Sequence, residues 1–261
     1  MSKKKTPDEI KHHMSHAINV LGTYLDDLVN NPSEKDSGKA DKLSYWIEDW
    51  VKFLDYEPRF VSKSLRKYKR GEIIKLHLGF NLGSEEGGLH YAIVLDKNNS
   101  IHNPVLTIIP LTSLKPTKSI DHLHPGEVFL GNELFVSMNA KLSAHTQFLQ
   151  KSILNLKKET DMIAKLNIDP SADAYANLLN RVSALTTQLK EAEQELELNE
   201  RMKKEIQKMK TGSIALVSQI TTVSKIRIYD PKSNHDVLSG IKLSNEKLDL
   251  IDAKLQDLYI K

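Results

Sequence analysis

Between two apolar runs, the segment KRGEIIKLHLGFNLGSEEGGLHYAIVL, from Lys69 to Leu95, carries Ser84, Glu85, Glu86 and His90 on a glycine-rich loop. A hydroxyl, a carboxylate pair and an imidazole are the parts of general acid–base chemistry, because an imidazole titrates near pH about 6.5 and a carboxylate accepts protons below it. Glycines 83, 87 and 88 allow positive φ and close approach of the backbone to a ligand. No lysine follows in the manner of a P-loop, so the segment is not a nucleoside-triphosphate cradle. The same composition also describes a mobile polar loop. A second group is IPLTSLK, Ile109 to Lys115, where Thr112 and Ser113 end an apolar run. Their hydroxyls can face a ligand or cap the strand end by bonding to backbone.

Other chemistry is limited. His12 and His16 are spaced for one helix face, and His122 and His124 alternate on an extended piece, but neither pair has a clear third ligand and no HExxH pattern occurs. No metal site and no cofactor is expected. There is no cysteine, which excludes disulfides and thiolate metal sites and fits a reducing cytoplasm. No run approaches the roughly 20 apolar residues of a membrane span, so no membrane partner is expected. The net charge of +3 does not by itself indicate nucleic acid. Arg59, Lys63, Arg66, Lys67, Lys69, Arg70 and Lys75, however, crowd the approach to the first strand, where they can meet phosphates or simply be solvated.

The elements that must position these groups fall into three textures. Residues 1–66 read as helical: Thr6, Pro7 and Glu9 form a capping box, and Ile10, Met14, Ile18, Leu21, Leu25 and Leu28 follow at helical spacing. A second helix is predicted over about 39–55. From Gly71 the period shortens, and EIIKLHLG, HYAIVLD, VLTIIP and EVFL read as strands. Residues 131–210 return to a three-four spacing, broken at NIDPSAD and skipping after Asn199, which predicts an antiparallel helical coiled-coil hairpin. Then SIALVSQ and KIRIYD read as strands, NHDVLSG as a turn, and a helix capped by Ser244 closes the chain. Neither strand cluster alone suffices for a core, so 67–130 and 211–261 are expected to share one sheet or small barrel. The fold class is α+β.

Three of these stretches in order, KRGEIIKLHLGFNLGSEEGGLHYAIVL, TIIPLTS and GSIALVSQITTVSK, followed by a closing helix, resemble the PemK/MazF toxins of type II toxin–antitoxin systems. The resemblance covers about 67–130 and 211–261; residues 1–66 and 131–210 have no counterpart in compact members. It implies an SH3-like barrel that forms a homodimer in the cytoplasm. It further implies an endoribonuclease that cuts single-stranded RNA without metal or cofactor and is inhibited by a cognate antitoxin protein. Carried over by position, Gly83, Ser84 and Glu85 correspond to the loop that folds over RNA, Thr112 to the contact with the scissile phosphate, and Ser113 and Gln219 to flanking groove positions.

The chain departs from that pattern where it counts. His90 stands in place of the loop arginine, Tyr91 in place of the following proline, and Thr221 in place of the arginine of Q-x-R-T. Attack by a 2′-hydroxyl needs a base, a donor to the phosphorane and an acid for the 5′-oxygen. Glu85 as base, His90 as acid or charge stabiliser and Thr112 as donor would supply them. The alternative is a non-catalytic barrel that binds RNA or protein and presents a coiled-coil arm; a gyrase poison on a related barrel is a third reading.

Overall fold

Thr6 starts the first helix, α1 (Pro7–Asn30), as the sequence predicts. Its Oγ1 accepts the Glu9 N–H at 3.3 Å while the Glu9 carboxylate accepts the Thr6 N–H at 2.7 Å. This reciprocal cap satisfies two end donors and is worth about 1 kcal/mol. The second helix, α2 (Glu34–Tyr56), begins five residues before the expected start at Lys39. In the computed structural model, which describes residues 5–31, 33–165 and 173–260, the chain forms two units. One comprises the residues up to Phe60 together with Gly79–Gly83, and the other Val61–Leu78 together with the residues from Ser84 onward. In the first unit α1 buries none of its side chains, α2 buries only Ala40, and Ile10, Met14 and Ile18 are exposed.

The second unit is built on a seven-stranded antiparallel sheet. Its strands are β1 (Ile73–His77), β2 (Leu89–Val94), β3 (Val105–Ser113), β4 (Glu127–Gly131), β5 (Ser213–Leu216), β6 (Thr221–Ser224) and β7 (Ile228–Asp230). The order is β4-β5-β3-β2-β1-β7, with β6 on the other half of β3. The two sequence blocks therefore do share one sheet: β5 lies between β3 and β4, β6 pairs with β3, and β7 pairs with β1.

Between β4 and β5 the chain leaves the sheet as α3 (Glu133–Ala164) and returns as α4 (Asp173–Ile206). It departs and re-enters at one point, since Gly131 is paired with Ser213. The helices run antiparallel, as their cross-links show: His145 with Asn199 at 2.8 Å, Lys157 with Glu193 at 3.1 Å, and Glu159 with Arg181 at 2.8 Å. Asn199, where the apolar spacing skips, is buried. Leu166 and residues 167–172 of the expected NIDPSAD break lie outside the described residues. The last helix, α5 (Asn245–Tyr259), starts at Ser244, whose hydroxyl accepts the Lys247 N–H and donates to Glu133 at 2.8 Å, tying the start of α5 to the start of α3.

Alternation along the strands divides the core. Ile73, Tyr91, Ile93, Ile109 and Leu111 face the helices, packing with Met138, Ile206 and Ile251. The intervening residues Ile74, Leu76, Ala92, Val94 and Ile108 point the other way, into a cluster with Tyr68 and Val223. A third, small cluster of Leu114, Ile214 and Leu216 is packed by Leu123 and Phe129.

Two strand expectations need correction. SIALVSQ is extended only to Leu216; Val217–Gln219 is a 3₁₀ turn. In KIRIYD, Lys225–Arg227 is also a 3₁₀ turn, and only Ile228–Asp230 is strand. The Ser224 hydroxyl caps that turn by accepting the Ile226 N–H, and Lys225 is drawn inward to donate to the Ser100 carbonyl at 3.0 Å. Pattern reading had no strand for Thr221–Ser224, because Val223 is its one buried residue.

Candidate active site

The site follows from the register of three strands. Leu76 lies opposite His90 and His77 opposite Leu89, and the Leu78 N–H then donates to the Gly88 carbonyl at 2.8 Å. Gly88 has φ +81°, a left-handed turn that glycine adopts without strain and that ends the loop at the lip of β2. On the other side of β2, Ala92 pairs with Pro110. Two residues further along that diagonal are His90 and Thr112, so both face the side of Ala92 and Ile108. Thr112 is itself opposite Ile214 on β5. His90 thus lies on the side of the second apolar cluster, and Thr112 lies opposite Ile214 of the third.

Both ring nitrogens of His90 have a partner. The His90 Nε2 is 2.9 Å from the Glu86 carboxylate, and its Nδ1 is 3.4 Å from the Leu111 carbonyl oxygen. Both neighbours are pure acceptors, so only the doubly protonated ring satisfies both. Burial is the largest influence and opposes the charge. The Glu86 hydrogen bond and charge, with the Leu111 and Gly87 carbonyls, outweigh it and raise the His90 pKa above its ordinary value. The Glu86 N–H donates to the Gln219 side-chain oxygen at 2.6 Å, and the Gln219 amide donates to the Ser84 carbonyl at 3.3 Å.

The sequence-selected residues are placed as follows. Ser84, Gln219 and His90 are linked through this loop, and Thr112 follows Leu111, whose carbonyl faces the His90 ring. Thr112 and Ser113 are half-buried, Ser113 lying opposite Ser213. Glu85 is exposed and Glu86 half-buried, so the carboxylate on His90 is Glu86. Gly83, with φ +60°, falls in the other unit. Sequence reasoning missed Glu86 as the partner, although its i, i+4 spacing to His90 was visible. It also missed Arg227, whose guanidinium donates to the Leu78 carbonyl at 2.9 Å and brings a cation to the foot of the loop. Thr221 is exposed on β6.

The basic cluster before β1 is largely committed elsewhere. Arg66 pairs with Glu72 at 2.8 Å in a buried bridge, Arg70 pairs with Asp252, and the buried Lys75 ammonium sits 2.6 Å from Glu205. Arg59 pairs with Asp55. Lys63, Lys67 and Lys69 of the cluster are exposed. Lys75 also lies over the rings of Tyr91 and Tyr229, and opposite Asp230 in the β1–β7 pairing. Burial pushes the Asp230 carboxyl up to about 6, against the Leu238 N–H that it accepts at 3.0 Å.

Of the other histidines, His12 and His16 line a surface hollow of about 460 Å³ with Lys5, Glu9 and His13. His124 accepts the Gly126 N–H within a turn. Among the described residues no three histidine or carboxylate groups gather as metal ligands, and no helix is long and apolar enough to cross a membrane. No protein-family model and no curated protein matches this chain.

Proposed function

We propose that the protein is a toxin-type endoribonuclease that cleaves single-stranded RNA by 2′-hydroxyl attack, without metal. The observation that carries this reading is the Glu86–His90 pair, whose ring reaches the Leu111 carbonyl next to Thr112 in the chain. In the proposed reaction Glu85, exposed on the loop, takes the 2′-hydroxyl proton. The 2′-oxygen bonds to phosphorus, and the bond to the 5′-oxygen breaks. The His90 imidazolium gives its proton to that leaving oxygen and is held charged by Glu86, while the Thr112 hydroxyl donates to a non-bridging oxygen. The products are a 2′,3′-cyclic phosphate and a 5′-hydroxyl. The sheet is read as an SH3-like barrel of the PemK/MazF type, and α3–α4 as a coiled-coil hairpin inserted in it. A homodimer and a cognate antitoxin belong to the same proposal.

The replacements at His90 and Thr221 favour a second reading, a barrel that binds RNA or protein without cutting it. Incubating the purified chain with unstructured RNA separates the two. Fragments ending in a cyclic phosphate, formed equally in chelator, support the enzyme; retention of intact RNA supports the module.

A further inference from the structure

Gln219 was singled out by motif position as a groove residue, yet its amide is engaged with the loop itself. The oxygen accepts the Glu86 N–H at 2.6 Å and the nitrogen donates to the Ser84 carbonyl at 3.3 Å. A primary amide offers one acceptor and a donor side by side, which matches the C=O and N–H that flank residue 85. We propose that Gln219 is a positioning residue of this site, holding Glu86 against His90 by bonding the loop backbone on both sides of residue 85.

The geometry carries the inference in three steps. Ser84 and Glu86 are fixed at their backbones, so the bend at residue 85 is set, with the Glu85 side chain exposed and that of Glu86 half-buried. The Glu86 carboxylate then meets the Nε2 of His90 at 2.9 Å. The ring is anchored from behind by the Leu111 carbonyl, on a strand that Gln219 does not touch through these bonds. Loop and strand are thus joined through Gln219, Glu86 and His90 in series. The segment that carries Glu86 is glycine-flanked, with Gly83 at φ +60° and Gly88 at φ +81°. Glycine raises the entropy lost on ordering a loop, so a side-chain tether has most effect there. The nearby charged groups are Glu86 on the ring, Glu85 beside it in the loop, and Arg227 at the Leu78 carbonyl.

The inference rests on the proposed active site only for its consequence in catalysis; the positioning is read without RNA. The test is the titration of His90 in the full chain by nuclear magnetic resonance with ¹³C-labelled histidine, its signal assigned by loss in His90→Gln. Glu86→Gln sets the scale, lowering the midpoint by about one pH unit. Gln219→Leu, which removes both bonds, is expected to lower it to the same extent. Gln219→Glu keeps the acceptor for the Glu86 N–H and is expected to keep the midpoint above that of Gln219→Leu. Should Gln219→Leu melt before it can be titrated, Gln219→Asn, one methylene shorter, replaces it with the same expected fall. A wild-type midpoint in Gln219→Leu or Gln219→Asn, alongside a fall in Glu86→Gln, overturns the proposal. An unshifted midpoint in Glu86→Gln removes the pair and the proposal together. Failure of the protein to cut RNA would overturn the nuclease reading and leave these titrations standing.

Discussion

Replacing Glu86 by Gln tests how the site holds its charge. The wild-type ring has a carboxylate at 2.9 Å on one nitrogen and a carbonyl at 3.4 Å on the other. The variant keeps an oxygen that can accept but loses the negative charge. A carboxylate at this range moves a partner's pKa by about one to three units. The side chains of His90 and Glu86 are 28% and 24% exposed, so solvent screens part of that effect and the low end applies. The expected fall is about one pH unit. Because the folded-state value is raised, the pair stabilises the fold fully below pH about 6.5, and that contribution disappears as pH rises through the raised midpoint. The acid step follows the same sign: the rate falls with rising pH once His90 deprotonates. In Glu86→Gln that fall begins earlier. Above both midpoints the variant holds roughly a tenfold smaller protonated fraction and cuts about tenfold more slowly; below both, the two proteins converge. The assay is single-turnover cleavage of a fluorescent single-stranded RNA between pH 5.5 and 8.5. An equal loss at every pH would refute this account, since it would mean that Glu86 acts directly in the reaction. No loss at any pH would refute it as well.

Two further perturbations probe the frame. Gly212 has φ +134°, and a Cβ there would lie 2.3 Å and 2.7 Å from the Phe129 ring. Strain and overpacking are each worth about 1–3 kcal/mol, so Gly212→Ala should lower the urea midpoint strongly at unchanged m-value; a wild-type midpoint would contradict the packing at the root of the inserted helices. Asp230 binds its proton more tightly in the folded chain than in the unfolded one, so wild-type stability should decline from pH about 4 to about 6 and then level off. Asp230→Asn keeps an acceptor for the Leu238 N–H and removes that decline. The variant should gain on the order of 2–3 kcal/mol relative to wild type between pH 4 and 7, and a difference independent of pH would count against the buried carboxylate.

What the sequence discloses about this protein is what local physics writes into it. The Thr6–Glu9 cap, the helical spacing of α1 and the Ser244 start of α5 depend on neighbours within a turn, and each forms as expected. The common sheet could be anticipated because neither strand block can form a core alone. The misses are long-range. Nothing near Lys75 or Arg70 in the sequence signals that Glu205 and Asp252 will neutralise them. β6 was hidden because TTVS carries little apolar signal and owes its extension to β3. That Glu86 meets His90 could not be read from the loop alone, because the Glu86 N–H is held by Gln219, 133 residues further on.

The most direct measurement is the end group of RNA incubated with the purified wild-type chain and with His90→Gln, in the presence of chelator. The account predicts 2′,3′-cyclic phosphate ends from the wild type and loss of at least about 10²-fold in rate for the variant. Equal cutting by both proteins, or RNA left intact by the wild type, would contradict it.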